Sequence, residues 1–88
     1  MIFNIDELKK KIIYRSTYRG TKEMDALISS FTKQIINDLN GDELINLSNL
    51  LDIDDENLYK FNQNLPTTVD IEANKVSKLF KEFKLNKE

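Results

Sequence analysis

The sequence contains no cysteine, no histidine and no tryptophan, and it holds only two glycines and one proline. Without cysteine there are no disulfides and no thiolate metal sites, and without histidine the imidazole ligands and the commonest general base are gone as well. Carboxylates, lysines, tyrosines and hydroxyls are all that is left for chemistry, so an enzyme is not expected. No apolar run is long enough for a signal-peptide core or a membrane span, and Asp6 and Glu7 stand beside Lys9, Lys10 and Lys11 near the start. A soluble protein with no direct membrane insertion is expected, in a bacterial cytoplasm, or in a mitochondrial matrix only if a presequence has been removed. The 13 Lys and Arg against 15 Asp and Glu give a net charge of -2. That balance supplies no clustered positive field, and no nucleic-acid partner is expected.

What is present fits one small domain. The chain has 88 residues, 40% hydrophobic and 32% charged. Apolar residues recur at helical spacing and no strand alternation survives inspection, so the expected fold is all-α, a single bundle of five short helices over residues 1–88 with its core at about 5–84. Helix one starts at the N-cap residue Asn4, with Glu7 placed as in a capping box, and runs from about Ile5 to Arg15. It stops near Tyr18, Arg19 and Gly20, since glycine reaches the left-handed conformation at little cost. Thr21 caps helix two, where Met24, Leu27, Ile28, Phe31, Ile35 and Leu39 form one apolar stripe. Asn40, Gly41 and Asp42 separate it from helix three, with Gly41 read as the stop and Asp42 as the new N-cap. Leu44, Ile45, Leu47, Leu50 and Leu51 make helix three apolar. Asp52, Asp54 and Asp55 suit the positive end of a fourth helix, roughly Asp55 to Asn62, packed through Leu58, Tyr59 and Phe61. The stretch from Asn62 to Thr68, which includes Pro66, reads as a loop; helix five then starts at Thr68 or Asp70 and packs through Val76, Leu79, Phe80 and Phe83. The tail from Asn86 is expected to fray.

The residues that could carry function lie at the two polar junctions. Arg19 and Glu23 flank a tight turn at Gly20. One reading is a helix stop with an exposed Arg19 to Glu23 pair worth ~0.5 kcal/mol. The other is a backbone pinned by Gly20 that presents Arg19 and Glu23 as a rigid polar patch to another protein, arginine being suited to bidentate recognition. The acidic cluster at Asp52, Asp54, Asp55 and Glu56 lacks the glycine and the terminal glutamate of an EF-hand loop, so capping accounts for it better than calcium. Met24, Phe31 and Phe80 read as core, and the lysines of the last helix as a solvated face.

The run Tyr14 to Asp25, Y-R-S-T-Y-R-G-T-K-E-M-D, resembles the signature of the succinate dehydrogenase flavinylation factors, the SdhE or Sdh5 family. That signature is R-G-x-x-E followed closely by aspartate, matched here by Arg19, Gly20, Glu23 and Asp25. A second block from Leu50 to Phe61, L-L-D-I-D-D-E-N-L-Y-K-F, resembles the family's Leu-rich helix, acidic junction and aromatic short helix. The sequence departs from the pattern at Tyr18, where the family usually has a second arginine, at Phe61, often tryptophan in bacterial members, and at Asn57, which replaces a common proline.

The resemblance implies an assembly factor that binds the flavoprotein subunit of succinate dehydrogenase, with fumarate reductase left open as a client, and promotes covalent attachment of FAD to a histidine of that subunit. It also implies that Arg19, Gly20, Glu23 and Asp25 form the partner surface, with Tyr14, Tyr18, Asp54, Asp55 and Tyr59 ranked second. No cofactor is expected to be held tightly, because no dinucleotide-binding glycine motif is present; FAD is the group attached to the partner. The chain is expected to be a monomer. The rival reading is a small helical regulator, antitoxin-like or an adaptor, unrelated to flavin. An enzyme using Glu23 and Asp25 as paired carboxylates is disfavoured, since residues two apart on a helix point about 200° away from each other.

Overall fold

In the computed structural model, which describes residues 4–84, the chain folds as α1 (Ile5–Thr17), α2 (Lys22–Ile35), a 3-10 turn (Ile36–Asp38), α3 (Gly41–Leu51), α4 (Asp55–Asn62) and α5 (Lys75–Glu82). Five α-helices and no strand among the described residues make the all-α bundle the periodicity predicts. The expected fraying from Asn86 lies outside the described residues.

Each helix is started by a side chain of the chain itself. Asn4, Thr21, Asn40, Asp54 and Asn74 accept backbone N–H groups of the first turns of α1 to α5 in that order. These are amides a helix cannot satisfy internally, and each such cap contributes about 1 kcal/mol. Two of the expected starts are corrected. Asn40, not Asp42, caps α3, in a full capping box with Glu43, so Gly41 is the first helical residue and not a stop. Helix five begins at Lys75, not at Thr68 or Asp70: Thr68 instead ties the loop to Asn57, and Asn74 forms the cap with Ser77.

The stops differ as well. α1 continues to Thr17, past Arg15. α2 ends at Ile35 and tightens into the 3-10 turn, leaving Leu39 extended yet buried, so its place in the apolar stripe is kept without helical backbone. α4 closes with Asn64 at φ 62, where the Leu65 N–H donates to the Lys60 carbonyl at 2.8 Å and the Asn64 N–H to Phe61 at 3.2 Å, a Schellman ending with asparagine in the left-handed position.

Ile12, Phe31, Leu44, Leu47, Leu58, Val76 and Phe80 are almost wholly buried and draw on every helix. α1 packs on α2 and α3, while α3 and α4 pack on α5. The ring of Phe80 lies 5.0 Å from Phe31 and 6.3 Å from Phe61, and Phe83 is 5.5 Å from Phe31. Tyr59 is not one of α4's packing residues: it is 51% exposed, while Leu58 is buried. Ile45 likewise faces outward.

Buried polar groups lock the short C-terminal helices. The Asn62 amide donates to the carbonyls of Phe80 and Phe83, both at 2.8 Å, satisfying the end of α5 from α4. Thr32 is the exception, because its Oγ is buried with no hydrogen-bond partner. Thr32→Val removes that unsatisfied group while keeping its shape, and should hold or raise stability by up to about 1 kcal/mol in a thermal melt.

Candidate functional site

The two junctions that stand apart in sequence are one structure. Gly20 lies two residues past the C-cap of α1, at φ +153, a backbone conformation that side-chain-bearing residues rarely adopt. Asp25, in the first turn of α2, turns its carboxylate back onto this bend: Oδ1 accepts the Arg19 N–H at 2.5 Å and the Gly20 N–H at 3.4 Å. Thr21 caps the same helix through the Met24 N–H. The turn is therefore fixed from within α2.

Arg19 reaches from that turn to the α3–α4 junction. Its Nε donates to Asp55 Oδ1 at 2.9 Å, Nη1 to the Leu51 carbonyl at 2.8 Å and Nη2 to the Ile53 carbonyl at 2.8 Å. Leu51 is the last residue of α3, so the guanidinium meets carbonyls at the negative end of one helix and a carboxylate at the start of the next. The Arg19 side chain is only 11% exposed. The ion pair expected between Arg19 and Glu23 is absent among the described residues; Asp55 takes Glu23's place. A β-carbon built on Gly20 would stand 3.4 Å from Asp55 Oδ2, an ordinary contact, so the glycine is called for by the backbone conformation of the turn and not by lack of space.

Beside the turn lies an open groove of about 790 Å³ between the start of α2 and α4. Its apolar part is lined by Met24, Ala26 and Leu27, and its polar edges by Lys22, Glu23, Asp55, Glu56, Tyr59, Gln63 and Lys84. Glu23 is exposed there and makes no ion pair among the described residues, whereas Glu56 pairs with Lys60. Tyr14 and Tyr18 lie on α1 and at its cap, 68% and 69% exposed, with their rings 4.9 Å apart.

The structure thus divides the residues singled out in the sequence. Glu23, Asp55 and Tyr59 line the groove, Gly20 adjoins it, Arg19 and Asp25 belong to the turn beside it without lining it, and Tyr14 with Tyr18 form a separate aromatic pair. Asp54 is not among the residues that line the groove; it caps α4, accepting the Asn57 N–H at 3.2 Å and the Asn57 side-chain amide at 2.8 Å. Sequence reasoning did not single out Gln63 and Lys84 on the groove, nor Arg15, which reaches Ser48 at 3.0 Å and pairs with Asp52. No spacing rule could reveal Arg15, since its partners come from another helix.

Two carboxyls are shifted. Donation from the Asn57 side chain and backbone holds Asp54 below its ordinary value of 3.8. The Asn40 N–H, aided by Lys75, holds Glu43 below 4.5. A carboxyl whose pKa is depressed in the folded state contributes stability above its unfolded pKa and loses it as pH falls through the folded one. Melting temperature should therefore fall as pH drops below about 4.5, and Asp54→Asn should flatten that acid limb.

No group of three or more acidic, Cys or His residues among those described could hold a metal, and no described helix is long and apolar enough to cross a membrane. What the described residues present is a polar turn held by hydrogen bonds, an open groove and a pair of exposed tyrosines. Residues 10–84 match the family model described as Sdh5, flavinator of succinate dehydrogenase. The chain belongs to that family. Comparison with curated proteins and with solved structures yields no significant match.

Proposed function

We propose that this protein is an assembly factor that binds the flavoprotein subunit of succinate dehydrogenase and promotes covalent attachment of FAD to a histidine of that subunit. The observation that carries the reading is the family match over residues 10–84. The geometry supports it, because both signature blocks converge on one turn and one groove. Gly20, Glu23 and Tyr59 form the contact surface, with Tyr14 and Tyr18 extending it. Arg19, Asp25 and Asp55 hold that surface in shape.

The reacting histidine belongs to the partner, since this chain has none. FAD belongs to the partner as well. The helix end beside the groove carries Glu23 and Asp25 in its first turn, and these carboxylates oppose a pyrophosphate at that N-terminus. The chain's own contribution is to bind a flavoprotein conformation in which histidine and flavin are aligned, so that the rate gain comes from positioning. It acts as a monomer in a bacterial cytoplasm in this reading.

The test is covalent flavin on the flavoprotein subunit, read as in-gel fluorescence after denaturation, from cells lacking this protein with and without the chain restored. Fluorescence that appears only with the chain supports the role. Equal fluorescence in both removes it. The fumarate reductase flavoprotein, run in parallel, decides whether it is a second client.

A further inference from the structure

We infer that Arg19 is a positioning residue: its guanidinium latches the α1–α2 turn to the α3–α4 junction and so sets the spacing of the groove walls, in place of touching the partner. The inference rests on the reading that this groove receives the flavoprotein.

An arginine that recognises a partner carboxylate needs its planar fork free. Here one edge of the fork is engaged by Asp55 and the remaining nitrogens by the carbonyls of Leu51 and Ile53, all within 2.9 Å, on a side chain that is nearly buried. A partner could take this fork only by unmaking three bonds and leaving two helix-end carbonyls and the Asp55 carboxylate without their donor, a costly exchange in a partly desolvated place. The backbone at the other end of the side chain is fixed too, by the Asp25 carboxylate.

The bridge spans the two walls of the groove. One wall, with Glu23, Met24 and Leu27, hangs from the turn that Arg19 belongs to; the other, with Tyr59, begins at Asp55. α4 packs chiefly on α5, and this polar bridge ties the start of α4 to the turn that begins α2. Gly20 is part of the same device, since its backbone at φ +153 shapes the turn from which Arg19 reaches Asp55. Lysine cannot replace Arg19 here, because a single ammonium cannot span three acceptors held in a fork.

The experiment uses the full chain in two measurements. In the free protein, amide hydrogen exchange is compared for wild type, Arg19→Gln, Arg19→Lys and Asp55→Asn. The latch predicts faster exchange, by about tenfold or more, at the start of α2 and at the α3–α4 junction together in all three variants, with the amides around Phe31 and Phe80 unchanged. In the second measurement, binding to the flavoprotein subunit is compared for Arg19→Gln, Asp55→Asn and the double variant. Each single change should weaken binding by about tenfold, and the double change should do no worse than the stronger single one, because both break one link.

Unchanged exchange at the junction in Arg19→Gln overturns the latch, as does wild-type binding by Asp55→Asn or losses that multiply in the double variant. Asp55→Asn removes the carboxylate charge that holds Arg19 Nε while keeping the side chain's size, and is the variant to judge by if Arg19→Gln unfolds. A wild-type chain that fails to bind the flavoprotein sinks the proposed function instead, and the exchange measurement then decides the latch alone.

Discussion

Gly20→Val is expected to keep the five helices and lose the partner. At φ +153 a β-branched residue is strained by about 1–3 kcal/mol. In a domain of this size each kcal/mol lowers the melting temperature by roughly 4–8 °C, so the variant should still fold at 25 °C. The larger effect is local. The new β-carbon would stand in ordinary contact, 3.4 Å from Asp55 Oδ2, and its two methyls add bulk beside the carboxylate that accepts from Arg19. The turn relieves the strain by moving, which shifts Glu23 relative to Tyr59 and, in the proposed function, places bulk at the partner surface. A circular-dichroism spectrum close to wild type, with affinity for the flavoprotein subunit weaker by at least about tenfold, is the expected pair of results. Wild-type affinity would show that this turn is not at the interface.

Phe80→Ala should have the largest effect on folding itself. Phe80 is fully buried and its ring meets Phe31 and Phe61, so truncation removes a side chain shared by α2, α4 and α5. Phe to Ala changes in cores cost about 3–5 kcal/mol. A domain this small has little more than that in total stability, near the low end of ~5–15 kcal/mol. The variant should show no cooperative melt at 37 °C and no binding, whereas Phe80→Leu should retain both at a reduced melting temperature. A Phe80→Ala protein that melts within a few degrees of wild type would mean the α5 contacts contribute little.

These two positions also mark where the sequence was legible. Phe80 was readable because core residues repeat with the helix period, and Asn4 and Thr21 were readable because a cap acts within three residues of itself. The misplaced starts fell where two good caps compete. Asn40 and Asp42 both suit an N-cap, and Glu43, three residues after Asn40, was the deciding signal through the capping box. Thr68 and Asp70 also suit one, but Thr68 is committed to Asn57 across the loop, a tertiary bond that no local rule contains. The candidate site shows the same limit. Gly20, Glu23 and Tyr59 were found by type and motif, yet the partner of Arg19 was assigned to Glu23, the nearest opposite charge in sequence. The actual partner, Asp55, comes from another helix, and only the folded chain brings it within 2.9 Å.

The self-contained helix starts have a consequence for how this protein meets its client. Because every described helix is begun by its own side chain, and the polar turn is held from within by Asp25, the binding surface exists before any encounter. Association then requires no coupled folding of this chain, and the heat-capacity change on binding should reflect only the apolar surface covered at the interface together with any rearrangement of the flavoprotein. In the proposed function, the conformational work of maturation then falls to the flavoprotein, with this chain serving as the fixed template.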